Sequence, residues 1–180
     1  MATPFRPALM LLTLYAEYHR DRRNILTHFI GVPMIVFGVV VLLVRPTFMV
    51  GGWAMTPAWV AYGLATAWYL TRGELALGAL TSVGIGLLTI GAHTVGGGSV
   101  ASWLSWGIGM FAVGWVIQLV GHYYEGRKPA FADDVVGLLV GPMFVMLELA
   151  ALLGLFKGLI ARIEATAGPT HIRDLAHPAV

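Results

Sequence analysis

Three histidines at the edges of long apolar segments are the residues of this sequence best suited to chemistry. His19 and His28 flank the entry to one apolar segment, and His122 lies where a later one ends. Neutral imidazole is the commonest metal ligand in proteins and the usual general base. If these segments cross a membrane, an even number of crossings separates His28 from His122, so all three imidazoles lie at one membrane face. The spacing therefore predicts a three-histidine metal site.

Polar residues near these histidines could complete such a site. Asn24 precedes His28 by four residues on the same helical face, so it either orients that imidazole or only caps the helix. Glu125 follows His122 by three residues, and at this spacing one helix can direct both side chains to one ion. The alternative is that both simply extend towards the membrane surface. Gln118, one turn before His122, faces the same way and could line a pocket.

The available donor atoms limit the choice of metal. The chain contains no cysteine, which excludes thiolate ligands and a cysteine nucleophile. Imidazole with oxygen ligands suits iron, zinc, copper or nickel, and histidines with a carboxylate and open positions suit oxygen-activating iron. The residues by themselves do not choose among these metals.

The elements that must position these side chains are apolar helices. Hydrophobic residues make up 58% of the 180 residues and charged residues 11%, against roughly 25% charged in an average soluble domain. This composition predicts an all-α, polytopic membrane helix bundle in a single domain, 1–180, and excludes a water-soluble enzyme. The net charge is only +2 and the aromatic residues lie in apolar runs, so we expect no nucleic-acid partner.

Five membrane spans are predicted, because a span needs about 20 mostly apolar residues. They lie near 29–44, 56–70, 75–93, 100–120 and 135–156. Residues 1–27 predict an amphipathic helix at the membrane surface, since apolar residues recur there near helical spacing. Residues 157–180 predict a polar tail.

The basic residues favour one orientation of these spans. Seven lie on the side of the N-terminus and the 121–134 loop: Arg6, Arg20, Arg22, Arg23, Arg72, Arg127 and Lys128. Four lie on the other side: Arg45, Lys157, Arg162 and Arg173. By the positive-inside rule we expect the histidine site near the cytoplasmic face and the C-terminal tail opposite. The membrane is either a bacterial inner membrane or the endoplasmic reticulum.

One acidic residue lies within an apolar segment. Glu148 is about 13 residues into the last predicted span, roughly 20 Å from the cytoplasmic face by helix rise. An ionisable group at that depth is costly and is a candidate functional residue. We expect His93, near the far end of the third span, to be its partner rather than the three histidines above.

Three segments of the chain resemble a family of membrane enzymes. They are 18–33, with His19, Asn24 and His28; 118–130, with His122 and Glu125; and 141–144. These segments are similar to signatures of the membrane 2-hydroxy fatty acid dioxygenases, which occur in the yeast endoplasmic reticulum and in bacteria. The 75–98 region is not part of the resemblance.

The resemblance implies an iron(II)-dependent dioxygenase of fatty acid alpha-oxidation. Such an enzyme converts a 2-hydroxy fatty acid and O₂ to CO₂ and a fatty acid one carbon shorter. By position the implied Fe²⁺ ligands are His19, His28 and His122, with Glu125 as a further catalytic candidate. Arg127 and Lys128 lie beside the site and could pair with the substrate carboxylate. The expected partners are this substrate, O₂ and the lipid bilayer, and a homo-oligomer is left open.

Three alternative functions compete with this one. Another lipid-modifying iron oxidoreductase, such as a hydroxylase or desaturase, usually carries clustered HxxxH and HxxHH motifs, which this chain lacks. A small transporter or channel would use Glu148 and His93 as a polar relay. A non-enzymatic membrane scaffold would leave the convergence of the three histidines unexplained.

Overall fold

Seven α-helices and one β-hairpin form the part of the chain that this computed structural model describes, residues 5–128 and 136–175. The helices are α1 (Ala8–Ala16), α2 (Arg22–Leu43), α3 (Pro57–Leu70), α4 (Leu75–Gly96), α5 (Val100–Glu125), α6 (Gly137–Leu152) and α7 (Lys157–Ala167). The strands β1 (Phe48–Val50) and β2 (Trp53–Met55) are joined by Gly51 and Gly52, whose positive φ angles favour glycine in a two-residue hairpin turn. The predicted all-α, membrane-type architecture is confirmed.

Helices α2 and α5 form the central antiparallel pair, which brings the start of α2 and the end of α5 together. Gly38 of α2 faces Gly107 and Phe111 of α5, and Gly31 faces Gly114 nearer the start of α2. A Cβ atom at Gly38 would lie 2.6 Å from both the Gly107 carbonyl oxygen and the Phe111 amide nitrogen. Glycine therefore allows the two backbones to approach, as small residues do between membrane helices.

Substituting Gly38 by alanine is expected to destabilise the protein by about 1–3 kcal/mol, because the atoms that the new methyl group meets belong to backbone. Gly63→Ala is the matched control, since no atom lies within 4 Å of its added Cβ and alanine is the better helix former. Thermal unfolding in detergent measures both. A Gly38→Ala variant as stable as the Gly63→Ala variant would contradict the close α2–α5 contact.

Three described helices are long and apolar enough to cross a membrane: α2, α4 and α5. Helix α3 has only 14 residues, yet it begins where Ala58 packs beside Val44 at the end of α2. It ends near α1, where the Arg72 carbonyl accepts a hydrogen bond from the Ala8 amide. Helices α6 and α7 are long and apolar enough for a span only when taken together, and their axes meet at a bend of 118°. The predicted count of five spans is therefore not confirmed.

Helix α6 runs towards the α1 end of the bundle. A Cβ at Gly141 would lie 3.9 Å from Val32, one turn past His28 in α2, whereas Glu148 lies 4.0 Å from the Arg20 guanidinium before α2 begins. Beyond α7, His171 forms a parallel bridge with Asp21. The prediction that the C-terminal tail lies on the opposite face is therefore wrong. Hydropathy detects an apolar segment but carries no information about its direction.

The return of the C-terminal segment concentrates the basic residues at one end. The structure describes all eleven Lys and Arg residues, and ten of them lie at the α1 end. Arg45 is the exception, and at the opposite end it donates hydrogen bonds to the carbonyls of Gly96 and Gly98. The charge asymmetry is thus larger than the sequence alone indicated.

The predicted interfacial helix over 1–27 is interrupted in the structure. Helix α1 ends at Ala16, and α2 begins at Arg22 with the Asp21 side chain accepting a hydrogen bond from the Arg23 amide as N-cap. The predicted polar tail over 157–180 begins with α7, whose buried Leu159 and Ile163 belong to the same apolar cluster as α1. The loop between α1 and α2 carries His19.

Candidate metal centre

The three predicted histidines meet in the interior at the α1 end of the bundle. His19 and His28 are fully buried and His122 is 5% exposed. One nitrogen of each imidazole lies within 4.8 Å of one nitrogen of each of the others. His19 comes from the α1–α2 loop, His28 from the second turn of α2, and His122 from the last turn of α5. The antiparallel α2–α5 pair thus makes the convergence that the spacing predicted.

Hydrogen bonds fix the ring nitrogens that face the centre. His19 Nδ1 lies 2.6 Å from the Tyr15 carbonyl oxygen, and His28 Nδ1 lies 2.8 Å from the Asn24 carbonyl oxygen. A carbonyl oxygen only accepts, so both Nδ1 atoms carry the proton and both Nε2 atoms keep a free lone pair. Metal-binding histidines are commonly oriented by such a backbone carbonyl.

The two Nε2 atoms face each other in a way that suits a bound cation. They lie 3.1 Å apart, and in this tautomer neither has a proton to share. Two facing lone pairs repel unless a positive ion lies near both. The Nδ1 atom of His122 is also buried, and among the described residues it has no hydrogen-bond partner. The donor set therefore fits a metal ion held by imidazole nitrogen.

Aromatic rings form the wall beside His19. The Tyr15 ring stacks on the His19 imidazole with centroids 4.1 Å apart, and Phe144 of α6 lies 5.5 Å from it. Burial in this wall holds the pKa of His19 well below its usual range, and the neighbouring His28 imidazole lowers it further. His19 is consequently neutral, which is the state that binds a metal.

Glu125 holds the loop that carries His19. One carboxylate oxygen accepts the Arg20 amide at 3.0 Å, and the other accepts the Asp21 amide at 2.9 Å and the Asn24 side-chain amide at 3.0 Å. Three donors therefore occupy the carboxylate of Glu125, a residue that is only 9% exposed. These hydrogen bonds tie the end of α5 to the loop. This arrangement assigns Glu125 to positioning His19.

The other predicted site residues surround the histidine cluster and differ in their contacts and exposure. Asn24 supports His28 through its backbone carbonyl, while its side chain donates to Glu125 and to the Tyr18 carbonyl. Gln118 is buried and lines a crevice together with His122. Two cations predicted for the substrate carboxylate, Arg127 and Lys128, are exposed at the same end of the bundle, and Arg127 donates to the Glu17 carbonyl.

The C-terminal segment reinforces the His19 loop through contacts that sequence reasoning missed. The Arg20 carbonyl accepts the His171 amide, and the Asp21 carboxylate accepts the Arg173 amide at 2.8 Å. Burial alone would raise the pKa of Asp21. Hydrogen bonds instead hold this pKa at about 2, and they come from the Arg23 side chain and from the backbone amides of Arg173 and Arg23. Asp21 is therefore ionised near neutral pH.

Glu148 is not paired with His93 as predicted. Its carboxylate lies 4.0 Å from the Arg20 guanidinium, which also donates to the Ala16 and Gly168 carbonyls. His93 instead lies 3.1 Å from the Thr56 hydroxyl at the other end of the bundle. The prediction failed because the direction of α6 brings Glu148 to the α1 end. The only sequence signal for Arg20 was its position next to His19.

Comparison with known proteins agrees with the resemblance in the sequence. Residues 6–153 match the sequence profile of a family described as 2-hydroxy-palmitic acid dioxygenase Mpo1-like. The chain is 31% identical over 156 residues to the 2-hydroxy-palmitic acid dioxygenase MPO1 of Saccharomyces cerevisiae, which covers 85% of each protein. No solved structure matches the chain significantly. The matched range of the family includes all three histidines.

Proposed function

Because this chain belongs to the Mpo1-like family of 2-hydroxy-palmitic acid dioxygenases, we propose that it is an iron(II)-dependent dioxygenase of fatty acid alpha-oxidation. Its substrates are a 2-hydroxy fatty acid and O₂, and its products are CO₂ and a fatty acid one carbon shorter. The yeast relative is described as a 2-hydroxy-palmitic acid dioxygenase, which supports this class of substrate and reaction.

The convergence of three buried imidazoles is the observation that carries the proposal. His19, His28 and His122 offer nitrogen ligands and the chain has no thiolate, a donor set that suits iron as it suits copper, nickel and zinc, and of these iron is a usual metal of oxygenases with histidine ligands. Iron(II) bound there supplies the one-electron and O₂ chemistry that amino acid side chains lack. The protein contributes the ligands, their orientation and a dry surrounding.

The reaction needs no further reductant. A 2-hydroxy acid and one O₂ give the shortened acid, one CO₂ and one H₂O, so every atom is accounted for. The C1–C2 bond breaks, and loss of carbon 1 as CO₂ together with oxidation of carbon 2 to a carboxyl releases four electrons. O₂ accepts the same four electrons. An enzyme with a metal and no binding site for an organic reductant is therefore sufficient.

The chain's own residues bind and orient the head group in this proposal. The substrate presents a carboxylate and a neighbouring hydroxyl to the centre, and exclusion of water strengthens every electrostatic interaction there. Gln118, next to His122 along the crevice, donates or accepts a hydrogen bond at the head group. The exposed cations Arg127 and Lys128 attract the carboxylate from the membrane surface.

The charge asymmetry supports a location for the site at the cytoplasmic face. Ten of eleven basic residues lie at the α1 end, so by the positive-inside rule that end, with the three histidines, faces the cytoplasm. A substrate dissolved in the bilayer reaches such a site from the cytoplasmic leaflet. The separation of Glu148 from His93 argues against a transporter that uses the two as a relay.

Isotope labelling tests the proposed reaction. Protein reconstituted anaerobically with iron(II) is given 2-hydroxypalmitate labelled with ¹³C at the carboxyl carbon, and then air. We expect labelled CO₂ and unlabelled pentadecanoic acid in equal amounts, and neither under argon. Absence of both products under air, or a product that retains the label, would refute the reaction.

A further inference from the structure

A crevice leads from the candidate metal centre into the apolar layer of the bundle. It lies between α2, α5 and α6 and holds about 410 Å³ of space between atoms, counting the part open to the surroundings. Helix α2 packs against both other helices, whereas among the described residues α5 and α6 barely touch each other. Among the described residues, the crevice therefore lies in a gap between α5 and α6, with α2 as its floor.

The crevice is polar at one end and apolar at the other. His122, Gln118 and Tyr15 line the end next to the histidine cluster. The remaining lining is apolar, and in α5 it extends from His122 back to Trp115. Leu138 of α6 lines the crevice and is 47% exposed, so the crevice reaches the outer surface of the bundle beside this residue.

We propose that the crevice between α2, α5 and α6 holds the acyl tail of the substrate, which enters sideways from the bilayer with its head group at His122. This inference rests on the proposed function for the identity of the head group. A molecule that fits must be polar at one end and apolar along its length, and the crevice has the same polarity. Its polar end is continuous with the candidate metal centre.

The length of the crevice defines how much of the tail it holds. Trp115 precedes His122 by seven residues, which corresponds to about 10 Å along the axis of α5. An extended chain covers this distance with roughly eight methylene groups, given carbon–carbon bonds of about 1.5 Å. The rest of a longer tail stays in lipid. Transfer from lipid gains little hydrophobic free energy, so the crevice serves to orient the tail.

Obstruction of the crevice at Leu138 tests this assignment. Leu138→Trp is expected to lower the ratio of kcat/KM for 2-hydroxypalmitate over 2-hydroxyhexanoate at least about tenfold, because a bulky side chain in the lining obstructs a long tail more than a short one. The neighbouring Leu139 is 38% exposed and does not line the crevice, so Leu139→Trp should leave the ratio unchanged. A folded Leu138→Trp variant with the wild-type ratio would overturn the proposal.

Photolabelling tests it without requiring turnover or metal. A 2-hydroxy fatty acid with a diazirine near its sixth carbon is irradiated with the wild-type protein in lipid, and the labelled peptides are mapped by mass spectrometry. Label on Trp115, Val36 or Leu138 supports the tail site. Label confined to lipid-facing residues of α4, such as Leu87 and Ile90, overturns it. Crevice labelling in a protein without turnover would show that the dioxygenase proposal fails while the tail site stands.

Discussion

Replacing His122 by alanine is expected to abolish turnover of 2-hydroxypalmitate while the protein remains folded. His122 is one of three imidazoles that converge on one point, and alanine in its place is compatible with the last turn of α5. Even residues that only orient a ligand change metal affinity 10–100-fold, so loss of a ligand should reduce activity by more than about 100-fold. Product formation and iron content of the purified variant measure the effect.

The control for this substitution is a histidine at the opposite end of the bundle. His93 is hydrogen-bonded to the Thr56 hydroxyl and is remote from the three histidines of the candidate metal centre. His93→Ala is expected to keep its iron and most of its activity. Turnover at the wild-type rate in the His122→Ala variant would exclude His122 as a ligand, whatever the His93→Ala variant does.

Glu125→Gln is expected to weaken iron binding by roughly 10–100-fold and to lower the unfolding temperature. The glutamine amide offers one acceptor oxygen where the carboxylate offered two, and its NH₂ group would face a backbone N–H donor. A buried donor left without a partner costs about 1–3 kcal/mol, and the His19 loop would shift as a result. Iron titration and thermal unfolding measure the two effects.

The dependence on iron concentration separates positioning from direct chemistry at Glu125. If Glu125 acts only through the His19 loop, turnover of the Glu125→Gln variant recovers when iron(II) is raised to saturation. Turnover that stays low at saturating iron would mean that the carboxylate takes part in the reaction itself. Glu74→Gln is the control, because in the described part of the chain the part-exposed Glu74 carboxylate pairs with Arg162 at 3.9 Å, a contact that contributes little.

The histidine cluster could be predicted because its geometry depends on few features. His28 starts one apolar helix and His122 ends another, and any even number of crossings between them brings both to one face. His19 follows because only eight residues separate it from His28. The role of Glu125 was less accessible, since its three donors lie in the α1–α2 loop and the first turn of α2, about a hundred residues away in sequence.

The largest failures of prediction concern the last third of the chain. An apolar segment such as 135–156 has the same composition in either direction, so Glu148 was predicted deep in the membrane and far from Arg20. Hydropathy also gives no sign that a polar segment after α7 will return to pair with Asp21. Those contacts arise from tertiary packing of α1, α6 and α7, which no local pattern encodes.

X-ray absorption at the iron edge of the reconstituted wild-type protein tests the central claim most directly. The protein is purified without a histidine tag or chelator and loaded anaerobically with iron(II). The arrangement of His19, His28 and His122 predicts about one iron per chain, with scattering from three imidazole rings. Failure to bind iron, or bound iron without imidazole ligands, would contradict the assignment of the metal centre.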